Sequence, residues 1–306
     1  MDMETFLTTL YVRVDEFCRT LPVAPRPGPA AALDRSEVLT LALFGQWARF
    51  PSERDFSRFA DARLRPYFPR LPHRSQVNRL LRTHQALLAP LAFALAAPIT
   101  APASSYELLD GTGVPVRNRA RRGRGWLAGL ADTGWCTRLG FYHGFRLLLA
   151  CDPRGVITGF GFGPASRNDR HLAETFVAVR AQPDPRLPSV GVPLSGEYLA
   201  DTGFAGTTVI PHWITAYTAW VCASPQRDSH ARWPRALRRQ VASWRQIIET
   251  VQDRVLTTFR LAHERPHALD GFQARLAAKV ALHNFCCWLN QQLGRPLLAF
   301  ADLLGW

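Results

Sequence analysis

Three acidic residues stand where a lone carboxylate is ordinarily unwelcome. Asp110 closes the run Leu108-Leu109-Asp110, Asp201 ends Tyr198-Leu199-Ala200-Asp201, and Glu249 lies in Arg245-Gln246-Ile247-Ile248-Glu249. Burying an unpaired carboxylate is costly, so an acid at the edge of an apolar run calls for a partner, and a divalent cation is the strongest one. Carboxylate ligands suit Mg²⁺ or Mn²⁺. Two such ions, roughly 3.5–4 Å apart, can clamp the attacking and leaving oxygens of a phosphoryl displacement. Singly, each acid has a plainer reading. Asp201-Thr202-Gly203 could form a turn, and Glu249 could pair with Arg245 on one helix face. Their joint placement on the elements around them favours a shared site.

Those elements follow from the apolar periodicity. Phe6, Leu7, Leu10, Tyr11, Val14 and Phe17 predict a first helix, ended by Pro22, Pro25, Pro27 and Pro29. Asp34-Arg35-Ser36-Glu37 reads as a capped helix start. Further helices are expected over 52–60 and 75–89, the latter with Ser75 as its cap and Val77, Leu80, Leu81 and Leu87 facing inward. Arg70, Arg74, Arg79 and Arg82 surround it, so this region reads either as a helix-turn-helix DNA-binding module or as an ordinary helical bundle.

From Ser105 the period changes. Strands are expected over 106–116, 141–151 and 156–162, then a helix over 169–180, strands at 197–200 and 219–223, and long helices over 234–261 and 269–293. This order predicts an α/β fold of RNase H-like layout: three antiparallel strands, then two parallel ones, flanked by helices and preceded by an all-helical region. The expected division is 1–104 (helical, DNA-binding), 105–262 (catalytic) and 263–306 (a C-terminal helix packed on the catalytic part).

The chain has 306 residues, 47% of them hydrophobic, enough for a large core. Its formal charge of +13 should attract a polyanion, most simply nucleic acid. Six cysteines without a CxxC pair, and a start carrying Asp2 and Glu4, fit a reduced cytoplasmic protein with no leader. The Ala- and Pro-rich stretch 86–103 reads as a packed helix and linker rather than a membrane span.

Four blocks carry a family resemblance: Leu108-Leu109-Asp110-Gly111-Thr112-Gly113-Val114-Pro115-Val116, Phe141-Tyr142-His143-Gly144-Phe145-Arg146-Leu147, Leu199-Ala200-Asp201-Thr202-Gly203-Phe204 and Arg245-Gln246-Ile247-Ile248-Glu249-Thr250. Over residues 34 to 290 the chain resembles bacterial insertion-sequence transposases of the DDE class. The last two blocks together are the most specific. The resemblance implies that Asp110, Asp201 and Glu249 are the catalytic metal ligands for two Mg²⁺ or Mn²⁺ ions, and that Arg245 holds a phosphate beside them. An activated water would cut DNA at the element's terminal inverted repeats, and the freed 3′-hydroxyl would attack target DNA, with the protein acting as a homo-oligomer and no membrane involved. A nuclease without strand transfer and a catalytically inert DNA-binding relic are the alternatives. The family's Tyr before this Arg and Lys after this Glu are here Ala242 and Leu256, and Arg254 or Arg260 could supply the missing phosphate contact.

Arg117, Arg119, Arg121, Arg122 and Arg124, with Gly123, Gly125 and Trp126, follow the Asp110 strand and suit tracking of a phosphate backbone. Asp169 reads as a helix cap, and His143, His263 and His267 as structural or solvent-facing. Trp213, Trp220, Trp233 and Trp244 read as core by default.

Overall fold

A computed structural model describes residues 1–22, 31–100, 105–117, 127, 129–225 and 233–306. Helix α1 (Met3–Arg19) is capped by Asp2, which accepts from the Thr5 N–H. Helix α2 (Arg35–Phe44) has the capping box expected of it. Asp34 accepts from the Glu37 N–H at 2.7 Å, and Glu37 accepts from the Asp34 N–H at 2.7 Å. Ser52 caps α3 (Glu53–Arg63). In α4 (Arg74–His84) the cap is His73, whose ring nitrogen accepts from the Ser75 N–H, so Ser75 lies inside the first turn instead of capping it. Helix α5 (Leu88–Ala96) is almost wholly apolar and buried.

The strands are β1 (Glu107–Arg117), β2 (Asp132–Cys136), β3 (Gly140–Cys151), β4 (Ile157–Pro164), β5 (Glu197–Ala200) and β6 (Trp220–Ala223). They form one mixed sheet in the order β2-β3-β1-β5-β6. One edge of β3 pairs antiparallel with β1, while its other edge is shared end to end by β2 and β4. β5 joins β1 in parallel, and β6 joins β5 in parallel. The expected α/β fold of RNase H-like layout is present, with two additions. β2 was invisible because Asp-Thr-Gly-Trp-Cys has no apolar alternation, and as a half-exposed edge it needs none. Helix α7 (Val209–Tyr217) was hidden by Pro211, which a first helical turn tolerates.

Both faces of the sheet are covered, so β3 reads as a continuous apolar run rather than an alternating one. Leu148 and Ala150 of β3, with Leu109 and Ala200, pack on α6 (Asp169–Ala181) and on Trp213 of α7. Leu147 and Leu149, with Leu108 and Leu199, face the opposite core, which is continuous with α1, α2, α5, α8 (Arg235–Asp253) and α9 (Leu269–Gln292). Among the described residues no helix is long and apolar enough to cross a membrane.

Helix α9 is buried on nearly all sides, and its polar residues tie the layers together. Asn284 accepts from the Ile157 N–H at 3.0 Å and donates to Ile157 O and to Ala92 O, stitching β4 to α5. His283 donates Nε2–H to Gly155 O at 2.8 Å. Burial pushes the His283 pKa down to about 4, from an ordinary value of 6.5. The unfolded chain therefore takes up this proton before the folded one does, and stability is lost as pH falls through that window, by roughly 3 kcal/mol in full. His283→Gln keeps a donor and cannot titrate. Its urea-unfolding free energy should fall less than that of the wild type between pH 7 and pH 4, and parallel pH curves would contradict this assignment.

Candidate active site

The parallel register of β1 on β5 brings the first two acids together. Leu108 faces Leu199 and Leu109 faces Ala200, so the next residue of β1 is Asp110 and the residue just past the end of β5 is Asp201. Asp201 keeps an extended backbone and caps the short turn Thr202–Phe204, accepting from the Gly203 N–H at 2.7 Å. Because side chains alternate along a strand, Asp110 points to the same face as Leu108, the face that α8 covers.

Arg245 faces the acids for a helical reason. Val241, Arg245, Ile248 and Gln252 share one stripe at spacings of three and four, and this stripe lies on the sheet. The Arg245 guanidinium comes within 3.5 Å of Asp110 Oδ2, and no Arg245–Glu249 ion pair forms. Its Nε is buried and finds no hydrogen-bond partner among the described residues. Burial drives the Asp110 pKa up to about 7; Arg245 pulls it back, and the neighbouring Asp201 and Asp169 raise it again. A buried carboxylate crowded by acids is an environment in which a cation is stabilising.

Glu249 stands one helical turn beyond Arg245 and is exposed. Among the described residues no three His, Cys, Asp or Glu side chains gather closely enough to hold a metal ion. Asp110, Asp201 and Glu249 thus do not form a closed three-acid cluster: two stand side by side and the third projects from the covering helix.

Asp169 was expected to be a cap, but the cap of α6 is Asn168, which accepts from the His171 N–H at 2.9 Å. Asp169 instead takes a two-pronged grip from Arg146 of β3, at 2.6 and 2.5 Å. The signal for this was Arg146 itself, a charge inside an apolar strand that had to find a buried acid. The Arg146–Asp169 pair lies directly over Gly111. A Cβ there would stand 2.1 Å from Asp169 Oδ1, an atom Arg146 pins in place. Gly111→Ala is therefore expected to destabilise the fold by about 1–3 kcal/mol, as overpacking does. Chemical denaturation measures this, and an unchanged midpoint would contradict the close approach.

Of the basic residues after β1, Arg117 ends the strand, where the pairing shifts between Pro115 and Arg117. Arg119, Arg121, Arg122 and Arg124 lie outside the described residues, as do Gly123, Gly125 and Trp126. Arg254 opens a π turn (Arg254–Thr258) below α8, with its guanidinium 5.9 Å from the Phe300 ring centre. Trp213 is core as expected, but Trp220 and Trp244 are 55% and 41% exposed.

No curated protein matches the chain. A family model described as the transposase DDE domain matches residues 108–285, more than half of the chain and the whole of the segment that brings Asp110, Asp201 and Arg245 together. The chain belongs to the DDE transposases, whose chemistry is phosphoryl transfer on DNA.

Proposed function

We propose that the protein cuts DNA at the ends of an insertion sequence and joins the freed ends to target DNA, using Asp110, Asp201 and Glu249. The observation that carries this reading is the β1–β5 register, which brings Asp110 of β1 beside Asp201 just past the end of β5. The donor set fits a hard divalent cation. Both aspartates offer oxygen ligands, Asp110 is buried next to like charges, and Glu249 on the covering helix is the third candidate ligand. Magnesium or manganese, when bound, would supply Lewis-acid stabilisation of charge on the reacting phosphate.

The chain's own residues do the remainder. Arg245, whose Nε has no hydrogen-bond partner among the described residues, would hold a non-bridging phosphate oxygen beside Asp110. The shell of Ile248, Val251 and Leu108 behind the acids keeps water from one side of the site. In the first step water adds to phosphorus and the 3′-oxygen leaves. In the second that 3′-hydroxyl attacks a target phosphodiester, so one bond is exchanged for another and no energy source is required. The residues before β1 and the basic segment beginning at Arg117 serve as DNA contacts, and the catalytic unit is read as 105–262.

Incubating the purified protein with Mg²⁺ and a supercoiled plasmid carrying its gene and flanking DNA tests the reading. Cleavage at the element ends followed by joined products is the expected result. Cleavage without joining would replace the proposal with a plain nuclease, and binding alone would replace it with an inert relic.

A further inference from the structure

A second site lies away from the acids. A cleft of about 510 Å³ opens between α3 and α4 on one side and residues 259–267 with the start of α9 on the other; none of Asp110, Asp201 and Glu249 lines it. Its charge is one-sided. Arg54, Arg74, Arg260 and Arg265 line it, and among the described residues none of the four pairs with a carboxylate. The two carboxylates in its wall are already engaged. Arg275 pairs with both Glu53 and Glu264, and Lys279, the sole lysine of the chain, is 2.8 Å from Glu264.

The backbone adds an independent observation. Arg260 holds a left-handed conformation, φ +57°, which a residue with a Cβ adopts only at a cost. It lies just past Phe259, which closes the π turn that follows α8, an irregularity frequent at functional sites. Backbone strain that is kept when a glycine would relieve it points to a side chain with a task.

We propose that this cleft seats the sugar-phosphate backbone of duplex DNA, with Arg54, Arg74, Arg260 and Arg265 neutralising successive phosphates. Its volume is that of a small-ligand pocket, so it takes a short stretch of one strand's backbone and not a whole duplex. The proposal deepens the transposase reading and rests on it. The rest of α8 and the π turn run from Arg245 to Arg260 and link the acid-facing helix to the cleft.

The test is a salt-dependence titration of a short labelled duplex of arbitrary sequence against the full-length protein, without Mg²⁺. The combined variant Arg54→Ala, Arg74→Ala, Arg260→Gly should lower the slope of log affinity against log salt by about 2.7, near 0.9 per lost phosphate contact, and weaken binding by roughly tenfold or more near physiological salt. Arg260→Gly alone preserves the left-handed turn, so it should lower the slope by about 0.9 without lowering the melting temperature. An unchanged slope in either folded variant overturns the proposal. A wild-type protein that cuts no DNA yet shows the cleft-dependent slope defeats the transposase reading and leaves the cleft standing. Wild-type cutting with an unaltered variant slope defeats the cleft alone.

Discussion

Asp110→Asn is expected to abolish DNA cleavage, lowering the rate by about three orders of magnitude or more, while the protein folds and binds DNA as before. The size follows from the role proposed for Asp110. Losing one hard ligand from a site that stabilises transition-state charge by several kcal/mol removes on the order of 4 kcal/mol, and each 1.36 kcal/mol is tenfold in rate. The unchanged fold follows from the surroundings. Asparagine has the same shape, and a neutral amide removes a charge that burial and the nearby Asp201 and Asp169 all disfavour. The unfolding midpoint should hold or rise.

Asp201→Asn and Glu249→Gln are expected to give the same loss of cleavage, and they separate the site from the fold even more clearly. Glu249 is exposed, so its replacement should change stability by no more than about 0.5 kcal/mol. Full cleavage by the Glu249→Gln protein would remove that residue from the site and leave an aspartate pair with Arg245. Nicking rates, duplex binding and urea midpoints measured side by side decide each case.

What the sequence revealed was local. The Asp34–Glu37 capping box could be read three residues at a time, and the apolar runs of β1, β3 and β4 announced buried strands. The Arg245–Glu249 pair was an equally local reading, and it gave way because the Val241, Arg245, Ile248 and Gln252 stripe lies on the sheet and turns Arg245 toward Asp110. What the sequence concealed depends on distant partners. Asp169 looked like a cap because caps are local; its real partner, Arg146, comes from the sheet, and the glycine that admits them belongs to a third element. Exposure was equally hidden. Trp220 and Trp244 lie on or beside a sheet edge whose position no run of residues specifies.

The largest effect on stability should come from a pair that the residue pattern gave no reason to link. Glu107 opens β1 three residues before Asp110, and Arg180 lies at the end of α6. Both are almost completely buried, and Arg180 Nη1 donates to Glu107 Oε1 and Oε2 at 2.9 and 2.8 Å. Thr158 of β4 donates to the same carboxylate, as does the Leu194 N–H, while Arg180 donates to Val190 O and Thr158 O. Desolvating the two ions makes the pair a weak net contributor, but removing one partner strands the other charge in the core. Glu107→Gln or Arg180→Met is accordingly expected to cost about 3–5 kcal/mol, whereas the double variant Glu107→Gln, Arg180→Met should cost far less than the sum of the single changes. Guanidinium unfolding of the four proteins closes this double-mutant cycle. Because Glu107 anchors the strand that carries Asp110, the destabilised single variants should also lose activity on warming before the wild type does. Additive single effects would mean that the two side chains do not act as a unit.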